Sequence, residues 1–267
     1  MTIDPSAQIH PSAVVEDGAV IGAGCVIGPF CVVGPEVVLA ADVTLKSHAV
    51  VAGLTEIGQG TVIFPFANIG DVPQDLKYGG EKTRLIVGQR NRIREGVTMN
   101  TGTEGGGGIT RVGDDGLFMA GAHVAHDAIV GDRVIMANNA AVAGHCIISD
   151  DVIIGGLSGV HQFVRIGKGA IIGAVTMVTN DVIPYGLVQG PRGMLDGLNL
   201  VGLKRRGVAR EDIMALRAAF QALAQGDGAF QDRAKRLLDD VAGQSQYVRD
   251  IVDFVLGESD RSFLTPG

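Results

Sequence analysis

From Ile3, every sixth residue as far as Ile69 is aliphatic: Ile3, Ile9, Val15, Ile21, Ile27, Val33, Leu39, Leu45, Val51, Ile57, Ile63 and Ile69. A second run starts at Val112 and passes through Phe118, Val124, Val130, Met136, Val142, Ile148, Ile154, Val160, Ile166 and Ile172 to Val178. Val87, Ile93 and Met99 keep the same spacing between the two runs. A strict hexapeptide period predicts a parallel β-helix in which three hexads make one coil and every eighteenth residue stacks on the next. Gly often follows the apolar position, as at Gly22, Gly28, Gly58, Gly131 and Gly155. That placement predicts a corner that a side chain would obstruct.

Composition fits a narrow prism better than a globular core. The 267 residues include 40 Gly, no Trp and only 4% aromatics, so the interior must be filled by repeated aliphatic side chains. A net charge of −7 argues against a general nucleic-acid binder, which needs a basic footprint. Asp4, Glu16 and Asp17 interrupt any N-terminal basic-plus-apolar leader. No apolar run reaches the ~18–20 residues of a membrane span, so a soluble, cytoplasmic protein without membrane insertion is expected. Cys25, Cys31 and Cys146 each lie four residues past a hexad aliphatic, where Ala13, Ala49, Ala67 and Ala140 also occur. They are expected to be small inward fillers without chemistry, poorly placed for a disulfide.

The repeat is interrupted near 70–86 and near 100–111, and repeat proteins often carry binding residues on such loops. The second interruption contains Gly105, Gly106, Gly107 and Gly108, a tetraglycine with no side chains to pack and therefore expected to be mobile. Past Val178, Pro184, Pro191 and Gly193 mark a change of structure. From about Arg210 the spacing becomes helical, with one face of Ile213, Leu216, Ala219, Phe220 and Leu223. Ala234, Leu237, Leu238 and Val241 make a second face, and Val248, Ile251, Val252 and Val255 a third, with Gly226, Gly228, Gly243 and Ser245 between segments. Residues 1–190 are thus expected to form the β-helix, and 191–267 a helical domain capping its last coil.

Four of the six histidines fall between 123 and 161. His126, His145 and His161 follow Val124, Val142 and Val160, which stack on successive coils, and His123 precedes Val124 on the same edge. Strand spacing would put the outer two about 10 Å apart along the prism. Such a flank admits turn-capping imidazoles, a zinc site, or a substrate cleft with one histidine as general base. The concentration of four weighs against simple turn capping, and the lack of a His-x4-His pair beside Asp127 weighs against metal. A substrate cleft is the best supported, since a bulky phosphate-bearing substrate needs several donors along its length.

The motifs Pro73-Gln74-Asp75-Leu76-Lys77-Tyr78, His123-Val124-Ala125-His126-Asp127, Gly144-His145, Gly159-Val160-His161-Gln162-Phe163 and Asn199 through Gly202-Leu203-Lys204-Arg205-Arg206-Gly207 occur in order along the hexad frame. Together they resemble the UDP-N-acetylglucosamine acyltransferases that begin lipid A synthesis, over nearly the whole chain. The resemblance implies a left-handed parallel β-helix of hexapeptide repeats with a C-terminal α-helical domain, assembled as a homotrimer with sites in clefts between subunits. It implies an R-3-hydroxyacyl chain on acyl carrier protein as donor, the 3-hydroxyl of UDP-N-acetylglucosamine as acceptor, and no cofactor or metal. His126 would be the general base, Asp127 its supporting acid, and Gly144 N–H the oxyanion donor. Asp75 and Lys77 would hold sugar and acyl parts beside Gln74; His123, His145, His161 and Gln162 would line the cleft, and Asn199 and Arg205 would meet the nucleotide. Lys204, Arg205, Arg206 and Arg210 form a basic cluster suited to an acidic carrier protein.

One position departs from the family pattern: Val201 stands where a Glu is usual and cannot accept a hydrogen bond. That leaves open an acceptor with a 3-amino group, which would give an amide. A related N-acyltransferase carries a separate domain ahead of its helix, whereas this repeat starts at Ile3. A hexapeptide-fold zinc carbonic anhydrase and a non-enzymatic β-helix scaffold are the alternatives from other classes. Acyl length would be set by side-chain volume along the groove, with Ala174 and Arg192 as candidate rulers.

Overall fold

The computed structural model describes residues 2–225, 227–239 and 241–266. Gly226 lies outside the described residues, as does the side chain of Val241. Most hexads supply a two-residue strand whose second residue, the hexad aliphatic, is buried while the first is more exposed; Ile3, Ile9 and Val15 in the first coil are only half-buried. Val26–Ile27, Val38–Leu39 and Ile129–Val130 show this alternation, which follows from the period of two along a strand. Among the described residues the strands stack into sheets of nine, eleven and nine members, in parallel except for the last pair of the eleven-stranded sheet, with Ile21 over Ile3 and Leu39 over Ile21. The stacking makes the chain a parallel β-helix, and its winding is left-handed. From Ile21 onward its interior is a column of buried Ile, Leu, Val and Met that also takes in Phe118.

The glycine that follows the hexad aliphatic serves close approach between coils and not, as a rule, the left-handed turn. A Cβ on Gly58 would collide with the backbone of Gly88 on the next coil. The left-handed residue instead lies three after the aliphatic, and side chains occupy it at Asp42, His48, Arg90, Asp127, His145 and Phe163. Non-glycine residues are strained there by roughly 1–2 kcal/mol each, so the stacked hydrogen bonds between coils must hold them.

Both interruptions are insertions into otherwise continuous coils. Leu54–Ile57 pairs in register with Arg84–Val87, which pairs with Ile109–Val112. Strands Asn68–Asp71 and Arg84–Val87 extend into the first interruption, leaving the loop proper at 72–83. The tetraglycine is not a bare tether: Glu104–Gly106 forms a 3-10 turn whose Gly106 N–H donates to Thr103 O at 3.1 Å.

Strands continue beyond Val178, within the expected β-helix at Gly186–Gln189 and past its expected end at 190 in Met194–Leu198. Gly186–Gln189 adds to the eleven-stranded sheet and pairs antiparallel with Met194–Leu198. Helices α1 (Leu200–Arg205), α2 (Arg210–Gln225), α3 (Phe230–Arg236) and α4 (Gln246–Leu256) follow. The α2 and α4 faces are as expected: Ile213, Leu216, Ala219 and Leu223 are buried, as are Val248, Ile251, Val252 and Val255. The middle face is shorter, because α3 gives way to a 3-10 turn at Leu237–Asp239 and Leu238 is 46% exposed. Helix α1, ahead of the expected helical start, packs Leu203 inward.

The chain end then returns to the prism. Phe263 bridges to Asp181 and Pro266 to Leu195. The buried Asp181 accepts from Arg165 Nε at 2.7 Å and from Ser259 Oγ at 2.6 Å. No described helix is long and apolar enough to cross a membrane.

Candidate active site

The outward row of one nine-stranded sheet runs His123, Ala141, Gly159, Met177, each paired with the next. The two small residues between His123 and Met177 leave a trough. It opens a cavity of about 500 Å³ lined by Gln74, His126, Ala143, Gly144, His161 and Gln162 as well as that row. Most of the wall is apolar, with polar groups at the corner where the chain turns, the usual composition of a small-molecule site.

At that corner His126 is buried, and its Nδ1 lies 2.8 Å from Asp127 Oδ2. The Asp127 side chain is 1% exposed. Its Oδ1 accepts the Thr103 N–H at 2.8 Å and its Oδ2 accepts the Thr103 hydroxyl at 2.6 Å. The Asp127 N–H donates to Thr110 Oγ1 at 2.8 Å. The tetraglycine turn closes over this carboxylate so tightly that a Cβ on Gly106 would fall on it. An ionised carboxylate only accepts, so His126 carries its hydrogen on Nδ1 and leaves Nε2 as a bare acceptor. The second insertion therefore supplies the hydrogen bonds that hold Asp127 and, through it, the His126 ring.

Gly144 stacks directly against the His126 ring, and any side chain there would strike the imidazole. Its neighbours' N–H groups are occupied, Ala143 donating to Val160 O and His145 to His126 O. The Gly144 N–H makes no hydrogen bond to another described residue. A free N–H beside a bare imidazole nitrogen is the pairing that acyl transfer requires.

The other histidines occupy separate columns, so the flank is not a single ladder of imidazoles. His145 sits between Asp127 and Phe163, edge-on to His126 at 5.1 Å and stacked on Phe163 at 4.6 Å. Burial holds its ring below the ordinary histidine range against the pull of Asp127. His123 bonds Thr98 Oγ1 through Nδ1 at 2.7 Å, and burial, assisted by His126, likewise lowers its titration. His161 is exposed, its Nδ1 lying 2.8 Å from Arg261 Nη2.

His126, Asp127 and His145 place ligand atoms within 4.8 Å of one another, a grouping that sequence spacing did not reveal. A metal ion there would have to displace hydrogen bonds already made, since both Asp127 oxygens are engaged by Thr103 and one by His126. The donor set fits a hydrogen-bonded dyad better than a metal site.

Gln74 reaches the His126 cavity, whereas Asp75 and Lys77 line a neighbouring one of about 390 Å³ with Thr103, His145 and Phe163. Asn199 and Arg205 line neither cavity. Asn199 is 5% exposed and caps α1, its Oδ1 accepting the Gly202 N–H at 2.9 Å and its Nδ2 donating to Gly169 O at 3.0 Å. Arg205 and Val201 are exposed on the same short helix. Ala174 and Arg192 do not line the His126 cavity, whose far wall is Met177. All three cysteines are buried and free; burial pushes the Cys146 thiol up to about 12. Thr103, Thr110, Met177 and Arg261 were not foreseen. Only the size of the second insertion, which sets Thr103 opposite Asp127, could have pointed to any of them.

Comparison with known proteins identifies relatives of the whole chain. Residues 181–264 match the family model described as Udp N-acetylglucosamine O-acyltransferase, domain 2. Residues 18–53 match that of the bacterial transferase hexapeptide (six repeats). The chain is 68% identical over 205 residues to an acyl-[acyl-carrier-protein]–UDP-N-acetylglucosamine O-acyltransferase of Paracoccus denitrificans, covering 77% of each. It is 54% identical to the enzyme of that name from Rhizobium leguminosarum bv. trifolii, covering 83% of this chain and 81% of the relative. Among solved structures, UDP-N-acetylglucosamine acyltransferase from Campylobacter jejuni superposes with a TM-score of 0.91 at 36% identity, covering 97% of this chain and all of the other.

Proposed function

The chain belongs to the acyl-[acyl-carrier-protein]–UDP-N-acetylglucosamine O-acyltransferase family, and we propose on that premise how its residues carry the reaction. It transfers an acyl chain from acyl carrier protein to UDP-N-acetylglucosamine in the first step of lipid A synthesis. The chain transferred is R-3-hydroxyacyl and the accepting atom the sugar O3. His126 Nε2 takes the proton from that hydroxyl as the oxygen attacks the thioester carbonyl carbon. The resulting oxyanion is met by the Gly144 N–H. Collapse breaks the carbon–sulfur bond, and the proton passes from His126 to the departing thiolate, giving ester and free carrier thiol. The observation that carries this reading is the bare His126 Nε2, set by Asp127 and Thr103 beside a free Gly144 N–H. A positioned base of this kind is worth about 10²–10⁴-fold.

The remaining roles follow from position. His123, His161 and Gln162 contact the acyl donor in the cavity shared with Gln74, and Asp75, Lys77 and His145 hold the acceptor in the adjoining one. Arg205 serves a nucleotide in the cleft between subunits of a homotrimer, which fits its separation from the His126 cavity of a single chain, and Asn199, buried with both amide atoms engaged, serves it by capping the helix that carries Arg205. A guanidinium is suited to phosphate oxygens, so Arg205 takes the diphosphate. A net charge of −7 and the absence of a long apolar helix among the described residues fit a cytoplasmic enzyme.

Product analysis tests this directly. Purified protein given R-3-hydroxyacyl carrier proteins and UDP-N-acetylglucosamine should form a base-labile ester. With the 3-amino analogue a base-stable amide should form much more slowly. Exclusive use of the amino sugar would make the acceptor a different one, and no transfer to either would end the proposal.

A further inference from the structure

The segment after α4 crosses back over the last coil and is pinned to the buried Asp181 by Ser259 Oγ at 2.6 Å and by the Leu264 N–H at 2.8 Å. The Arg261 N–H donates to Ser259 Oγ at 3.0 Å, so the backbone of this residue is held at a fixed place. Its guanidinium spans two neighbours: Nε donates to Gln162 O at 3.1 Å, and Nη2 meets His161 Nδ1 at 2.8 Å. His161 Nδ1 also lies 3.3 Å from Gln162 O. The ring thus has two alternatives. With its hydrogen on Nδ1 it would donate to Gln162 O over the longer distance and point that hydrogen at Arg261. With its hydrogen on Nε2, Nδ1 accepts from Arg261 at the shorter distance. A guanidinium has no acceptor, so only the second is compatible with the 2.8 Å approach.

We propose that Arg261 is a positioning residue that locks His161 in the Nε2–H tautomer, so that His161 offers a hydrogen-bond donor to an oxygen of the acyl donor in the cavity. The first half rests on geometry alone, and the second rests on the proposed acyl transfer. His161 lines the cavity and its Nδ1 is taken, which leaves Nε2–H as the polar group available to a ligand there. His126 shows the opposite arrangement, with hydrogen on Nδ1 and a bare Nε2. One wall of the cavity thus accepts a proton while the other donates a hydrogen bond, each set by a different neighbour. The C-terminal segment, not the hexad repeat, decides the second.

Full-length protein labelled with ¹⁵N-histidine, held at about pH 8 so that imidazoles are neutral, reports the tautomer through two-bond nitrogen–proton correlations. A His161→Gln spectrum identifies the resonance. Wild type should show Nε2–H at His161, Arg261→Ala should shift it to Nδ1–H, and Arg261→Lys, which keeps a donor, should retain Nε2–H. In transfer assays Arg261→Ala should raise KM for the acyl carrier substrate about tenfold with kcat changed less than about twofold, and Arg261→Lys should recover most of the loss. Nδ1–H in the wild type, or an unchanged tautomer in Arg261→Ala, overturns the lock. A shifted tautomer with unchanged KM overturns the contact with the acyl donor. A wild type that shows Nε2–H but transfers nothing overturns the proposed function and the substrate half of this inference, leaving the lock supported.

Discussion

Thr103 carries more of the site than its place in a glycine-rich loop suggests. It gives both its N–H and its hydroxyl to Asp127, and Asp127 in turn sets the hydrogen of His126. Thr103→Val keeps the shape and the backbone bond but removes the hydroxyl. A buried charged acceptor losing one such partner costs about 1.5–3 kcal/mol, and kcat should fall about tenfold or more with KM little changed; equal kcat would mean that Thr103 does not support the dyad. Acidity bears on two other residues. His123 and His145 are both held below the ordinary 6.5 by burial, so between their folded values and about 6.5 the unfolded chain binds more protons. Stability from these residues is therefore complete above about pH 6.5 and is lost as pH falls toward the lower folded values. Urea midpoints should decline from about pH 7 to about pH 5, and His123→Gln should flatten that decline. The clustering of the histidines was legible from their places beside the hexad frame, whereas Asp127 and Gly144 were singled out only by the resemblance to a known family. Thr103 was not legible, because its partner is set by how seven extra residues fold back, which periodicity does not encode.

Within the elements, every outward row follows from the same repeat, and small side chains make the site. Ala141 and Gly159 open the trough, while Met177 lies over Gly159 and closes its end. Met177→Ala should shift donor preference toward longer acyl chains in competition assays with carrier proteins of mixed length. Unchanged preference in that variant, together with a shift in Ala174→Met, would return the ruler to the position expected from sequence. Gly144→Ala drives a methyl into the His126 ring and should abolish transfer while the far-ultraviolet spectrum stays that of the β-helix. In the interior, Phe118 is fully buried and is among the largest side chains of the prism core. Phe118→Ala should cost about 3–5 kcal/mol, read as a lowered unfolding midpoint. The strands were legible residue by residue, since inward aliphatics alternate with outward residues at a period the chain cannot disguise. The hairpin of Gly186–Gln189 with Met194–Leu198 was not, because its inward residues leave the six-residue frame and its edge pairing depends on the strand beneath it. Leu238 was misplaced for a similar reason: α3 ends before the helical spacing does.

At the level of the whole molecule, a prism built from one repeated unit has almost no means of bringing distant sequence to one point. The two insertions and the returning C-terminal segment provide it, delivering Gln74, Thr103 and Arg261 to a corner that the hexads alone would leave bare. The separation of the exposed Arg205, proposed above for the nucleotide, from the His126 cavity of a single chain accords with the proposed homotrimer. Mixed trimers of His126→Ala and Arg205→Ala chains should then regain activity that neither variant has alone, if each cleft takes its residues from two subunits; no recovery would place a complete site within one chain. The most direct test of the account is the transfer rate of His126→Ala at saturating R-3-hydroxyacyl carrier protein and UDP-N-acetylglucosamine. A loss of about 10²–10⁴-fold in kcat, with the fold intact and the acyl donor still bound, is the predicted result. A rate within a few-fold of wild type would contradict it, and the base would have to be sought elsewhere in the molecule.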